Sequence, residues 1–589
     1  MKIEFVSNDN CIDSRYSKKN SEHCKRALGG RLVNMTPDKF SRRDFIKLVG
    51  AGAAFLTFGK LVDVGNLLKQ QSALNKGIQS DSQNLLPSAN AQTPDPWVFG
   101  PPVWATAIHA ALLPTGKLLI VAGSGYHDTS VNGPYEAKIM DVHGNEEVAF
   151  TFPDDPWCCG QTNLGNGNIL WAGGTLAYDI QNTAGVFQGA KLAYEFNVYT
   201  NKFEKLTDMS HGRWYPTCVV LPDGKVFVVS GLDEYGQRNA LVEIYDPVTK
   251  TFTIQYDPGS GNTYCVGQGI NLPGAGSPCY GAPGQGVSPW TSLYPRMHLM
   301  PSGLIASVGM QHYVHLINPT TGEWGASIGD TQISWRDYGT SFLLPLQNTT
   351  SERGKILIAG GSIDWQSPAT AVCEMLDFNA GTNTAPVFRL TTSLATGRRF
   401  PVPVILPTGE CVLFGGAYGL ADEYVRIPEM FNPVTETWTS LPAAKVSRTY
   451  HQSGLLLLDG RVWTASGQPN RAEWERRTEI FSPWYMFAGS RPTINGRVKP
   501  APYGGTIRIP TSNGADITKV SLVRLPTYTH HYNPDMRLVW LQIISSDSTG
   551  ITVSAPINNR IAPPGDYMIH IINSSGVPSE AKVVRVPGA

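Results

Sequence analysis

The stretch Arg213-Trp214-Tyr215-Pro216-Thr217-Cys218-Val219-Val220-Leu221-Pro222-Asp223-Gly224-Lys225-Val226-Phe227-Val228-Val229-Ser230-Gly231 decides the fold. Two β-branched, apolar runs flank Leu-Pro-Asp-Gly. Proline fixes its own φ and glycine permits φ > 0, so the tetrad reads as a tight turn and the runs as a hairpin. The pattern recurs at 105–123, 157–174, 292–309, 336–361, 398–416 and 448–467, with Leu-Pro-Thr-Gly at 113–116 and 406–409 and Met-Pro-Ser-Gly at 300–303. The second run ends in Gly-Gly or a small-residue variant, as at 173–174, 360–361 and 415–416. Further strands follow, several turning on an Asn/Asp-Pro-x-Thr unit such as Asp246-Pro247-Val248-Thr249 and Asn432-Pro433-Val434-Thr435.

Four strands per unit at a spacing of roughly 50 residues is a kelch-type blade. Seven units predict a seven-bladed β-propeller over 92–488. After that the repeat stops. Short alternating strands run to the end, and Pro563-Pro564-Gly565-Asp566-Tyr567-Met568-Ile569 reads as a late strand of a C-terminal immunoglobulin-like (E-set) β-sandwich over 489–589. The fold class is therefore all-β, in keeping with 60 glycines, 43 prolines and a charged fraction of only 16%. Formal net charge is zero, which points away from nucleic acid. The nine cysteines form no C-x-x-C pair, which argues against a zinc ribbon.

Nine residues before each turn glycine stands one register of the repeat: Ala107, Cys158, Tyr215, Tyr294, Phe400 and His451, with Tyr338 in the fifth unit, whose turn carries an insertion after Leu344-Pro345. The first strand of each blade lines the axis, so this register forms a ring on one face. A ring carrying a thiol, phenols and an imidazole, with Tyr450 beside His451, can hold a metal. Tyr294 and Tyr338 read as packing or as pocket lining, and Cys218, Cys373 and Cys411 as small core residues. The sandwich contributes the polar insert Thr529-His530-His531-Tyr532-Asn533.

Residues 1–91 read as an N-terminal extension with an export signal. Ser41-Arg42-Arg43-Asp44-Phe45-Ile46-Lys47, followed by an apolar run from Leu48 to Phe58, matches the twin-arginine pattern, with Ala89-Asn90-Ala91 a cleavage candidate and Met35 a candidate start. The apolar run is short for a membrane span. Export to an oxidising compartment would permit a disulfide between Cys265 and Cys279.

Across the propeller and the sandwich the chain resembles the copper-radical oxidases, the galactose oxidase and glyoxal oxidase family. Cys158-Cys159-Gly160 resembles the segment that supplies the family's thioether cysteine. Arg213-Trp214-Tyr215-Pro216 resembles the R-W-Y-P form of glyoxal oxidases, Tyr450-His451 with Gln468-Pro469-Asn470 resembles the ligand pair, and Thr529-His530 with Asn533, Asp535 and Arg537 resembles the segment that supplies the last histidine. The resemblance implies one copper per chain held by Tyr215, Tyr450, His451 and His530. It also implies a Cys158–Tyr215 thioether as radical cofactor, and Tyr450 as the base that takes the substrate proton. The implied reaction is oxidation of a small aldehyde or primary alcohol by O2 to give H2O2, by a monomer. A sugar-alcohol oxidase of the galactose oxidase type and a non-catalytic kelch propeller that binds glycan or protein are the alternatives. This chain departs from the pattern in having Cys159 beside Cys158 and His531 beside His530, which leaves the last ligand open by one residue. Trp290 and Trp335 are candidates for the aromatic ring over the crosslink.

Overall fold

The computed structural model describes residues 94–588 except 104–105, 125–134, 153, 180–184, 258–292, 311, 334, 364–366, 420–423 and 469–473, together with four short strands before residue 94. The twin-arginine segment, Cys265, Cys279 and Trp290 lie outside the described residues.

Seven antiparallel sheets follow one another along the chain, one for each predicted hairpin. In the third, Thr217–Val220, Val226–Val229, Val242–Asp246 and Thr251–Tyr256 pair in chain order. The turn glycines Gly224 and Gly460 sit at φ of 85° and 88°, the left-handed region that the hairpin needs and glycine adopts without a Cβ clash. The two inner strands of this sheet, Thr217–Val220 and Val226–Val229, are buried along their whole length. Each blade is covered on both faces by its neighbours, which is why these runs are continuously apolar rather than alternating.

Two features of the sheets lie beyond the repeat. The seventh sheet supplies only three strands in sequence, Gln452–Leu456, Val462–Ser466 and Thr478–Phe481. Its fourth is Trp97–Gly100, which pairs antiparallel with Thr478–Phe481. The start of the propeller thus closes its last blade. The first sheet, in turn, gains a fifth strand. Thr527–Thr529, from the sandwich, pairs with His109–Leu112 as an added innermost strand.

The sandwich consists of a three-stranded sheet (Thr506–Pro510, Gly550–Ser554, Ile543–Asp547) and a five-stranded one. The five-stranded sheet holds Leu538–Leu541, Ile517–Arg524, Gly565–Asn573 and Lys582–Val586, and its edge is Leu346–Gln347 from the propeller, parallel to Val539-Trp540. The insertion in the fifth hairpin is thereby explained, since it lends the sandwich a strand. One apolar cluster runs from Leu343, Leu346 and Ile356 into Val520, Val539 and Ile569, so the two folds share a core.

The predicted register ring appears in the backbone. Cys158, Tyr215, Tyr294, Tyr338, Phe400 and His451 all have positive φ, between 46° and 70°. Such residues each cost about 1–3 kcal/mol and persist only where the surroundings fix them. Here hydrogen bonds between neighbouring blades fix them: Tyr215 N–H donates to the Cys158 carbonyl (2.8 Å), Tyr294 to Tyr215 (2.9 Å) and Phe400 to Tyr338 (2.8 Å). Ala107 differs. It is not in the left-handed region, and its blade is the one whose inner edge is covered by Thr527–Thr529.

Candidate active site

The inserted strand ends at Thr529, and the next two residues are both left-handed, with φ of 48° at His530 and 56° at His531. Two such residues in succession reverse the chain and send the two imidazoles in different directions. His530 goes to one arc of the ring. Its ring lies 4.7 Å from Tyr215, 4.6 Å from His451 and 4.8 Å from Tyr294, centroid to centroid. Its Nε2 is 3.2 Å from the Cys158 sulfur. His531 goes to the other arc, 5.6 Å from Phe400 and 6.3 Å from Tyr338. The Tyr450 ring lies between them, 5.6 Å from His530 and 5.8 Å from His531.

Cys158, Tyr215, Tyr450, His451 and His530, named from separate stretches of sequence, are thus brought together. The Tyr215 and Tyr450 hydroxyls are hydrogen-bonded to each other. Cys158 is fully buried and its thiol is in hydrogen-bonding reach of Tyr215. Burial pushes the Cys158 thiol well up, and burial, with Cys158 close by, does the same to the Tyr215 phenol. Without a positive charge in the site both therefore stay protonated. Burial acts oppositely on the imidazoles. It lowers His451 to about 3 and His530 well below the ordinary range, so both are neutral and present bare nitrogen lone pairs.

Hydrogen bonds decide which nitrogens those are. His451 Nδ1 donates to Gln468 Oε1 at 2.8 Å, and Nε2 is buried with no partner among the described residues. Thr529 Oγ1 holds His530 Nδ1 at 2.6 Å, leaving Nε2 toward Cys158 and Tyr215. His531 is different. The Arg296 guanidinium, which can only donate, gives an Nη2–H to His531 Nε2 at 2.8 Å, so that lone pair is taken. The off-by-one ambiguity at 530/531 therefore has a physical distinction. Cys159, the second thiol, points away from Tyr215 into the core beside Trp171 and Phe196, with His109 3.8 Å from its sulfur.

A carboxylate from the sandwich fixes the inserted strand. Asp535, 3% exposed, accepts from Thr162 Oγ1 (2.8 Å), Asn163 N (3.0 Å), Arg524 Nε (3.0 Å) and Thr527 Oγ1 (2.7 Å). The strand Gly160–Asn163 begins two residues after Cys158, so one side chain ties the segments carrying Cys158 and His530. Sequence reading gave Asp535 only as part of a motif. It gave no role to Gln468 beyond its motif and none to Arg296, because the partners of both are distant in sequence.

Beside the phenols lies a cleft of about 210 Å³, lined by Trp214, Tyr215, Tyr294, Tyr338, Tyr450, Trp335, Arg238, Arg296 and Asp337 among others. Tyr294 and Tyr338 thus do line a pocket, and Trp335 stands in its wall. Against the Tyr215 ring stand Trp214, at 4.1 Å and itself stacked on Phe187 at 4.3 Å, and Tyr294, at 4.4 Å, both tilted by 47°.

Comparison with known proteins agrees with this architecture. Residues 491–586 match the galactose oxidase-like early set domain, and residues 213–255 match the kelch motif. Galactose oxidase of Gibberella zeae is 28% identical over 462 residues, 73% of this chain and 61% of that protein, so the chain spans about three-fifths of this relative's length. The aldehyde oxidase GLOX of Vitis pseudoreticulata is 27% identical over 492 residues, covering 76% of this chain and 85% of that one. Among solved structures, a fungal alcohol oxidase of the AA5 family in complex with copper superposes with a TM-score of 0.68 at 22% identity, over 84% of this chain and all of that one, a likeness of fold. With a kelch motif in the propeller, a galactose oxidase-like early set domain in the sandwich and these relatives, the chain is similar along both of its folds to galactose oxidase and to the aldehyde oxidase GLOX.

Proposed function

We propose that the protein is a mononuclear copper-radical oxidase that converts a primary alcohol, or a small aldehyde as its hydrate, and O2 into the oxidised product and H2O2. The observation that carries the reading is the convergence of two phenol oxygens and two imidazoles, one of which has a buried Nε2 without a partner among the described residues, beside a buried thiol. Two nitrogen and two oxygen donors suit copper(II). His451 and His530 would hold the metal through neutral Nε2 atoms, and Tyr215 and Tyr450 through their phenol oxygens. When bound, copper would supply positive charge that favours the Tyr215 phenolate and act as one of two one-electron centres.

The chain's own residues supply the rest. Cys158 and Tyr215 would join as a thioether, whose sulfur lowers the potential of the phenoxyl and lets it accept a hydrogen atom from the substrate carbon. Tyr450 hydrogen-bonds Tyr215 and is held protonated by burial, so it too would need the positive charge of the metal to lose its proton, and as phenolate it would take the substrate hydroxyl proton. Gln468 and Thr529 fix the two imidazoles through Nδ1. Trp214 packs at a tilt against the Tyr215 ring and would limit water there. The aldehyde oxidase relative favours an aldehyde substrate and the galactose oxidase relative an alcohol.

A peroxide-coupled assay of copper-loaded protein against aldehydes and primary alcohols tests the activity. A protein that binds copper tightly yet makes no peroxide from any of them overturns it. The crosslink is tested by mass: copper loading in air should remove two hydrogens and leave the Cys158 and Tyr215 peptides linked after reduction.

For export, Ser41-Arg42-Arg43 supports the twin-arginine route, and replacing both arginines by lysine should leave the precursor in the cytoplasm. Among the described residues no helix is long and apolar enough to cross a membrane.

A further inference from the structure

Four buried glutamates of the propeller each meet an arginine of their own sheet: Glu243 with Arg213 at 2.7 Å, Glu374 with Arg336 at 2.6 Å, Glu429 with Arg398, and Glu479 with Arg448 at 3.3 Å. Such pairing offsets the cost of burying charge. Asp155, three residues before Cys158, is also buried, yet no cation is among the groups acting on it. The lysine nearby serves its neighbour instead: Lys205 meets Asp154 at 3.8 Å. Asp155 is held by neutral donors on both oxygens. Its Oδ1 accepts the backbone N–H of Ser124 and of Trp157, each at 3.0 Å. Its Oδ2 accepts from the Ser124 hydroxyl at 2.5 Å and from the Tyr178 hydroxyl at 3.2 Å, and the two hydroxyls also hydrogen-bond each other. Burial pushes the carboxyl above its ordinary value, and each of these four bonds works against that. Donors aimed at both oxygens suit a carboxylate rather than a neutral acid.

The place of this charge gives it a consequence. Trp157, whose N–H Asp155 holds, is the residue next to Cys158, and its ring packs on Tyr178 at 5.3 Å and on His451 at 5.7 Å. Trp157, Cys158, Tyr178 and Tyr215 belong to one buried cluster. In such surroundings a charge acts over several ångströms with little screening. The Asp155 charge reaches the Cys158 sulfur, where it opposes the thiolate. The same sign has the opposite effect once Cys158 and Tyr215 are joined and give up an electron. Resting on the proposed thioether radical, we infer that Asp155 sets the potential of the Cys158–Tyr215 pair, its carboxylate stabilising the oxidised form. The redox step is Tyr215 phenoxyl + e⁻ → Tyr215 phenolate. No bond forms or breaks and no proton moves, so the oxidised form carries one more positive charge and a fixed negative charge nearby favours it. Asp155 lines no part of the substrate cleft, so it acts on the cofactor and not on the substrate.

The test is a spectroelectrochemical titration of the copper-loaded, crosslinked protein at pH 8, following the radical absorption in wild type, Asp155→Asn and Tyr178→Phe. Asp155→Asn removes the charge and keeps the shape. At a fixed applied potential its ratio of oxidised to reduced form should fall about tenfold, a rise in midpoint of about 59 mV for one electron. Tyr178→Phe keeps the charge and strips one donor from it, so the carboxylate acts less screened and the midpoint should move down. A role confined to holding the Cys158 turn predicts instead less linked peptide in both variants and an unchanged midpoint in the fraction that crosslinks. A midpoint unmoved or lowered in Asp155→Asn overturns the inference and leaves the oxidase intact. Should Asp155→Asn not fold or not crosslink, Tyr178→Phe decides alone: a lowered midpoint supports the inference, and an unmoved or raised one overturns it. A wild type with neither linked peptide nor radical absorption removes the thioether reading, and this inference with it.

Discussion

The ring of register residues divides into two arcs that share a backbone and differ in chemistry. Cys158, Tyr215 and His451 form one arc and meet His530; Tyr338 and Phe400 form the other and meet His531. The left-handed φ is the same on both sides, between 56° and 70° for these five residues. The repeat therefore supplies placement, and placement alone makes nothing reactive. What distinguishes the arcs is the inserted strand, whose two histidines reach opposite sides, and Arg296, which takes up the lone pair of one of them.

Four tests break or sharpen that contrast. The largest effect is expected at Cys158. Cys158→Ser should fold and bind copper but lose the linked peptide, the radical absorption and nearly all turnover, because the proposed thioether cofactor needs the sulfur. Cys159→Ser, on a thiol facing the core, should keep the linked peptide. The second removes the clasp that gives both arcs their histidines. Asp535→Ala strands Arg524 in a buried site and should cost about 3–5 kcal/mol in denaturant unfolding. Asp535→Asn should retain part of that stability.

The third separates the arcs directly. His530→Ala should weaken copper binding by more than about a hundredfold in competition with a chelator, beyond the loss expected for an indirect contact. His531→Ala should stay within about tenfold of wild type, with the loss confined to positioning. The reverse order would show that the ligand register is off by one. The smallest effect is expected at Gln468. Gln468→Leu leaves His451 in place but frees its Nδ1, and should lower copper affinity by about ten- to a hundredfold with a changed copper(II) spectrum.

Much of this was legible along the chain. Pro-x-Gly turns between apolar runs gave seven hairpins, and counting back nine residues reached Tyr215 and His451 as well as Phe400, all of which are left-handed in the structure. Local chemistry was enough, because a hairpin is a short-range object and its register follows from its turn. Trp214 over Tyr215 was visible only as a letter of a motif. Gln468 on His451 was likewise only a letter of a motif, and Arg296 on His531 was not visible at all, since hydrogen bonds across 17 and 235 residues leave no periodic trace.

The sequence by itself determined the all-β class, the blade count, the ring register and the residue types that could hold copper. These rest on turn propensity and strand length, both written within about 20 residues. Tertiary structure alone decided that Trp97–Gly100 closes the seventh blade and that Leu346–Gln347 serves the sandwich. It decided too that Thr527–Thr529 enters the first blade and turns His530, rather than His531, toward Cys158. Each of those pairings joins segments far apart in the chain. Each is fixed by which open strand edge is left unpaired once the blades are packed, a property of the assembled sheets and of no single stretch of residues.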